Sequence, residues 1–207
     1  PESEIKIMEG DTLSAYHITL EAGLNDSSTA KLLNYGWINS TNGISIEKYI
    51  KENSWTGISS PISNGASGIF NATEEELYYW NPDTQKHNKI SDEATDIEVM
   101  KGYQYRNKSN DTTITFNGEP NQGKQEYKLN YNSNDTLYNN WNFIGNPFPA
   151  SVYWDNQGWN KENVANSIYF YPEDSGQVWS FVNGISNPAG STDGTIPPMK
   201  AFWVYSV

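Results

Sequence analysis

One stretch of this chain is written twice. Trp55-Thr-Gly-Ile-Ser-Ser-Pro61-Ile62 aligns without a gap to Trp141-Asn-Phe-Ile-Gly-Asn-Pro147-Phe148. Leu77-Tyr-Tyr-Trp80, followed by Asn-Pro-Asp, matches Ile168-Tyr-Phe-Tyr171, followed by Pro-Glu-Asp. Met100-Lys-Gly-Tyr-Gln-Tyr105 matches Met199-Lys-Ala-Phe-Trp-Val204. The blocks keep their order and the spacing widens in the second copy, so that copy carries small insertions, expected in loops. A duplicated unit restricts the fold strongly, because both copies must adopt one topology and can bury apolar surface against each other.

Each block reads as a strand. The first ends in a proline, which removes a ladder donor and forces an extended residue before it. The second runs into a proline-containing turn. The third carries a small residue, Gly102 or Ala201, where a neighbour can approach closely. Helix starts are few: Thr73-Glu-Glu-Glu76 and Lys161-Glu-Asn-Val-Ala165. Aromatic residues make up 14% of the chain and charged residues 18%. That is enough aromatic area for a core, so the chain is not a disordered tail.

The expected fold is all-β: a jelly-roll-like β-sandwich of two repeated β-units behind a short strand ladder. The ladder covers residues 1–50, the first repeat 51–130 and the second 131–207, both repeats in one sandwich. Ile5-Lys-Ile-Met8, Tyr16-His-Ile-Thr-Leu20 and Ile44-Ser-Ile-Glu-Lys-Tyr-Ile50 have alternating apolar positions. Gly10-Asp11, Gly23-Leu-Asn-Asp26 and Asn42-Gly43 supply turns. Ala30-Lys-Leu-Leu33 has the look of a helical turn that Asn34-Tyr-Gly36 breaks. Thr112-Thr-Ile-Thr-Phe116 and Glu126-Tyr-Lys-Leu129 alternate like solvent-edged strands with Asn117-Gly118 between them. Trp55, Trp80, Trp141 and Trp203, inside the repeated blocks, are expected in the core.

The formal net charge of -12 repels phosphate backbones and anionic membrane surfaces, which argues against nucleic-acid and membrane partners. With no cysteine, neither a disulfide framework nor a thiolate site can form. No apolar run reaches the roughly 20 residues of a spanning helix. No signal peptide is visible, and the chain reads as a piece of something longer.

The run Trp141-Asn-Phe-Ile-Gly-Asn-Pro-Phe-Pro149, then Trp154-Asp155, Ala165-Asn-Ser-Ile-Tyr-Phe-Tyr171 and Gly194-Thr-Ile-Pro-Pro-Met-Lys-Ala-Phe-Trp-Val204, resembles a segment of exported surface proteins of Bacteroidetes. There a "GWNLIGNPYPS…DW" stretch precedes "IYIYD" and "I-P-P-G-Q-G-F-F-V". Glu47-Lys-Tyr-Ile50 with Trp55 to Pro61 resembles that group's "V-E-R-Y-I … W-H-L-I-S-S-P". Glu9-Gly-Asp-Thr-Leu13 and Leu20-Glu-Ala-Gly23 resemble its "E-S-G-A-T-L … L-E-A-G" ladder. Here Lys48 stands for the usual Arg and Met199-Lys200 for Gly-Gln. In that group the segment precedes a sorting domain of the type IX secretion (gliding-associated) route; no such domain is present in this sequence. The resemblance implies export, display at the cell surface or release, and a structural, adhesive or spacer role. It supplies no catalytic residues.

His17 lies in a strand without an acidic neighbour, and His87 in a hairpin loop, so neither suggests a triad or a metal centre. The acidic runs Glu74-Glu-Glu76, Asp92-Glu93, Asp96 with Glu98, and Glu173-Asp174 read as solvated turns rather than a carboxylate pair. Asp92 to Asp96 and Asp155-Asn156 are weak calcium-loop candidates. Gly118-Glu-Pro-Asn-Gln-Gly123-Lys124 has phosphate-loop spacing, but Gln125 stands where Ser or Thr should hold magnesium, so a turn is the better reading. The chain is therefore expected to be non-catalytic and free of cofactors. Trp154, Trp159, Trp179 and Phe181 fall in second-copy insertions or beside turns. With Asp155, these tryptophans form the candidate glycan-stacking set, and closure of the core is the competing reading. Surface glycans or other cell-surface proteins are the expected partners. Asp11-Thr-Leu13, Asp111-Thr-Thr113 and Asp135-Thr-Leu137 look like the O-glycosylation acceptor of exported Bacteroidetes proteins, which makes Thr12, Thr112 and Thr136 candidate acceptors.

Overall fold

A computed structural model describes residues 3–23, 30–71, 74–133, 140–172 and 176–207. The fold is all-β: among the described residues there is no α-helix, and several small sheets pack into a sandwich-like body. Both helix-start candidates fail: Lys161 to Ala165 is a turn at Glu162-Asn163 running into a β-bridge of Val164 with Ser206, and Glu74 to Glu76 leads from a turn into a strand, with Thr73 outside the described residues.

The N-terminal ladder is a coil of two parallel rungs. β1 (Glu4–Ile7), β2 (Thr12–Ala15) and β3 (Ile18–Leu20) form the first rung. β4 (Lys31–Asn34), β5 (Trp37–Ser40) and β6 (Ile44–Ile50) form the second. Each strand pairs in parallel with its counterpart: Glu4 with Lys31, Thr12 with Trp37, Ile18 with Ile44. Ala30 to Leu33 is thus mostly strand, because register with β1 and burial of Leu32 outweigh its helical composition. Ile18, Leu20, Ile44 and Ile46 point inward, as period-2 alternation requires.

The two repeats share one topology. The first holds β7 (Trp55–Ile58), β8 (Gly65–Ala66), β9 (Glu76–Asn81), β10 (Lys86–Ile90), β11 (Asp96–Ile97) and β12 (Tyr103–Arg106). After β13 (Thr112–Gly118), the second holds β14 (Trp141–Gly145), β15 (Val152–Tyr153), β16 (Ser167–Phe170), β17 (Trp179–Val182), β18 (Ile185–Asn187), β19 (Thr195–Ile196) and β20 (Ala201–Tyr205). The main sheets run β10-β9-β12-β7 and β18-β17-β16-β20-β14, and the small pairs β8–β11 and β15–β19 also correspond. Register agrees residue for residue. Ile58 opposes Tyr103 where Ile144 opposes Phe202, and Tyr78 opposes Gln104 where Tyr169 opposes Trp203.

The copies meet by reciprocal contacts. Ile58 bridges Lys200 while Ile144 bridges Lys101. Ser59 N–H donates to Met199 O at 2.8 Å, and Gly145 N–H to Met100 O at 2.7 Å. Such exchange is what an approximate two-fold relation produces.

β13 falls in the stretch 51–130 but pairs along its whole length with β6 of the ladder. Ladder and first repeat therefore share one core, in which Ile46, Ile50, Phe70, Tyr105 and Phe116 pack together. The second repeat has its own core around Trp154, Ile168, Phe170 and Phe202. Glu126 to Leu129 is not a strand; at Asn130, just beyond it, the Asn142 side chain accepts from the backbone N–H and donates to the carbonyl. Asn117-Gly118 ends β13.

Candidate functional site: an aromatic cleft between the sheets

Alternation sends two kinds of side chain to opposite faces of each main sheet. In β9, Leu77 enters the first core while Tyr78 and Trp80 point away. In β20, Phe202 and Val204 enter the second core while Trp203 and Tyr205 point away. These outward faces confront each other. Gly57 makes the approach possible: a Cβ there would sit 3.2 Å from Ala201 O and 3.5 Å from Phe143 Cζ. At Gly102 it would come within 2.8 Å of Phe143 Cδ1.

The meeting faces carry a continuous aromatic group. Phe143 and Trp203 lie 4.7 Å apart between ring centroids, and Trp80 stands edge-on to Trp203 at 5.1 Å. Trp80 Nε1 donates to Trp141 O at 2.9 Å, a side-chain strut between the copies. Trp55 with Tyr78 and Trp141 with Tyr169 are the same pair in the two copies, at 5.9 and 5.2 Å. Trp203 and Tyr171 line two openings. One, of about 480 Å³, is walled by Trp80, His87, Trp141 and Tyr169. The other, of about 340 Å³, is walled by Trp55, Gln104 and Phe143.

The four repeat tryptophans are therefore not core residues. Trp55 is 46% exposed, and Trp80, Trp141 and Trp203 are half-buried. The aliphatic partner at alternate positions marks the core side, and the indoles occupy the other face. His87, expected in a hairpin loop, is on β10 opposite Trp80, with its ring 5.2 Å from Trp80 and 6.0 Å from Trp203. Its outer edge remains exposed, yet desolvation by these rings lowers its pKa from the ordinary histidine value.

The second-copy aromatics go elsewhere. Trp154 is 2% exposed and donates from Nε1 to Asn166 Oδ1 at 3.1 Å. Lys161 Nζ lies over its ring, 4.6 Å from the centroid. Trp159 packs on Trp154 and donates to Tyr153 O. Trp179 is half-buried against Phe170, and Phe181 is buried. Asp155 is exposed, 3.7 Å from Lys161 Nζ. The structure brings Trp154, Trp159 and Asp155 into one loop region and leaves Trp179 on β17, so the set does not converge on one opening. Trp154 offers no free face for stacking, because the inserted loop folds its indole into the second core.

The remaining candidates serve the scaffold. In the phosphate-loop lookalike, Asn121 Nδ2 donates to Ser60 O and Pro147 O, bracing the two copies. Glu75, expected in a solvated run, is buried and accepts from Lys108 N–H and Ser109 Oγ. Asp92 accepts from Ala94 N–H within its own turn. Among the described residues no three His, Asp or Glu side chains are grouped to hold a metal ion. His17 hydrogen-bonds Asn42 O and Ser45 Oγ. Thr12 and Thr112 are exposed; Thr136 and Glu173-Asp174 lie outside the described residues, as do three residues of the Gly23 to Asp26 turn. The Asp111 carboxylate accepts from Tyr49 OH at 2.6 Å and Glu52 N–H at 2.8 Å, and these bonds lower its pKa. No helix among the described residues is long and apolar enough to cross a membrane.

Residues 2–184 match the model of a family described as a domain of unknown function (DUF8693). The matched stretch ends before β20, although β20 lies inside the five-stranded sheet of the second repeat. No curated protein matches the chain, and no solved structure does. Because the match covers most of the sequence, the chain belongs to this DUF8693 family of domains of unknown function.

Proposed function

We propose that this chain is a non-catalytic structural or adhesion module of an exported bacterial surface protein. The supporting observation is how its polar side chains are used. Buried Asn121, Asn142, Asn146 and Glu75 each bind backbone groups of neighbouring segments. Such bonding makes a rigid scaffold. The resemblance to type IX cargo supports an extracytoplasmic position, and exposed Thr12 and Thr112 suit O-glycosylation there. Surface labelling and intact-mass measurement in the native host test this part: labelled protein with glycan-sized mass increments is expected, and an unlabelled chain of bare sequence mass rejects it.

A second reading is carbohydrate binding, favoured by the open cleft beside Trp141, Tyr169 and Trp203. Flat aromatic faces half-open to solvent suit pyranose rings, with Gln85 and His87 at the rim as polar partners. Under this reading the sugar-facing residues differ from the Trp154 set. A glycan array with the native chain and with Trp141→Ala and Trp203→Ala decides between the two. Binding lost in both folded variants supports the glycan reading, and no binding by the native chain favours the spacer.

A further inference from the structure

The two-rung coil is finished at one end and open at the other. On the second rung every strand is covered on its far side. β6 carries β13. β4 receives Pro149, whose carbonyl accepts from Leu32 N–H at 3.0 Å. β5 is met by the Gln122 side chain, whose Oε1 accepts from Ile38 N–H at 2.7 Å and whose Nε2 donates to Ile38 O at 3.1 Å. That amide takes the place a peptide of a third rung would fill.

Among the described residues the first rung has no such cover. Lys31, Tyr35, Trp37 and Thr41 donate to the carbonyls of Ser3, Ile7, Asp11 and Ala15, so these alternate positions turn toward the second rung. Backbone groups alternate sides along a strand, so Glu4, Lys6, Thr12 and Ser14 aim theirs the other way. None of these residues has a hydrogen bond on that side among the described residues. The side chains agree: Ile5 is 41% exposed while its register partner Leu32 is 1% exposed, and Met8 is 53% exposed. No proline interrupts β1, β2 or β3, and the protection against uncontrolled pairing is left to the shortness of these strands and to the Glu4 and Lys6 charges.

We infer that the first-rung edge of β1, β2 and β3 is a docking surface for another parallel rung, formed by polypeptide that leads into β1. Continuity with the existing stack carries the choice of occupant. The chain climbs from the first rung to the second, so polypeptide entering β1 lies on the open side. A second copy cannot stack head-to-tail, since its complementary edge is occupied by β13, Gln122 and Pro149. An incoming rung repeating the same pattern would place apolar side chains over Ile7, Ile18 and Leu20, continuing the interior column.

The test appends a second copy of residues 3–29 directly before Ser3, with a scrambled appendage of equal composition as control. Amide exchange at Glu4, Lys6, Thr12 and Ser14 should slow at least tenfold with the rung copy, and Tm should rise. The scramble should change neither. Equal effects of both appendages, or none from the rung copy, overturn the proposal. The unmodified chain gives an independent check by exchange and sedimentation. A monomer whose first-rung amides exchange faster than those of β6 is expected. Protection already present in a monomer, or a dimer protected at this edge, overturns it as well.

Discussion

Ser59 and Gly145 occupy the same position in the two copies and face each other where the copies meet. A Cβ on Gly145 would lie 2.2 Å from Ser59 Cβ, an impossible contact, so only one copy can carry a side chain here. Among the described residues Ser59 Oγ is buried without a hydrogen-bond partner, so its hydroxyl is not what selects it. Gly145→Ser should therefore destabilise by about 2–3 kcal/mol through overpacking. The double variant Ser59→Gly with Gly145→Ser should recover most of that loss, because the approximate two-fold relation lets the side chain cross over. Urea midpoints of the single and double variants check this; a double variant no better than the single rejects the reciprocal packing. His87 gives a second residue-scale expectation. Its pKa is lowered in the fold by aromatic desolvation, so the folded state favours the neutral ring. Its contribution is then present above the ordinary histidine value of about 6.5 and is lost as pH falls below that toward the lowered folded value. Between pH 7.5 and 5.5 the native chain should lose more stability than His87→Gln, measured by urea midpoint, and equal losses would reject it.

At the scale of elements, the repeated strands were legible because each block carries its own punctuation: a proline after β7 and β14, a Pro-containing turn after the second block, and a Met-Lys pair before β12 and β20. Register followed the blocks into the structure. Burial did not, because a strand pattern shows that two faces alternate and does not say which faces a core. Tryptophan volume suggested the wrong face, whereas Leu77 and Val204 mark the right one. The Met-Lys pair also fixes an unusual backbone conformation in both copies. Met100 has φ 63° and Met199 φ 55°, a left-handed turn that glycine enters without cost. Relief of that strain is worth roughly 1–2 kcal/mol, against about 2–5 kcal/mol for deleting a buried Met side chain. Burial wins at Met199, which packs in the first core at 1% exposure. Met100, outside that core beside the groove at Pro147, has less to lose. Met199→Gly should thus lower Tm clearly more than Met100→Gly. The reverse order would show that backbone strain controls both sites.

Across the whole molecule, the division into ladder, first repeat and second repeat is visible in the sequence, but it is not how the free energy is divided. The ladder has no core apart from that of the first repeat: Phe116 of β13 and Phe70 of the first repeat pack edge-on at 5.8 Å above Ile46 and Ile50. The second repeat in turn contributes Met199 to that same core and takes Trp80 onto the carbonyl of Trp141. Pro149 of the second repeat holds β4 of the ladder, and Asn121 ties Ser60 to Pro147. None of these links was readable beforehand, since each joins segments that no local pattern relates. Together they tie the second core to the first across the seam between the copies, whereas independent domains are joined by linkers that few contacts cross. The chain should therefore melt in a single calorimetric transition, with the calorimetric and van't Hoff enthalpies equal. Asn121→Ala removes the brace between copies and should lower Tm without splitting the transition, because the Met199 and Trp80 links persist. Two resolved transitions in the native chain would mean that the aromatic interface is a weak contact between separately stable units, and would remove the shared-core account along with it.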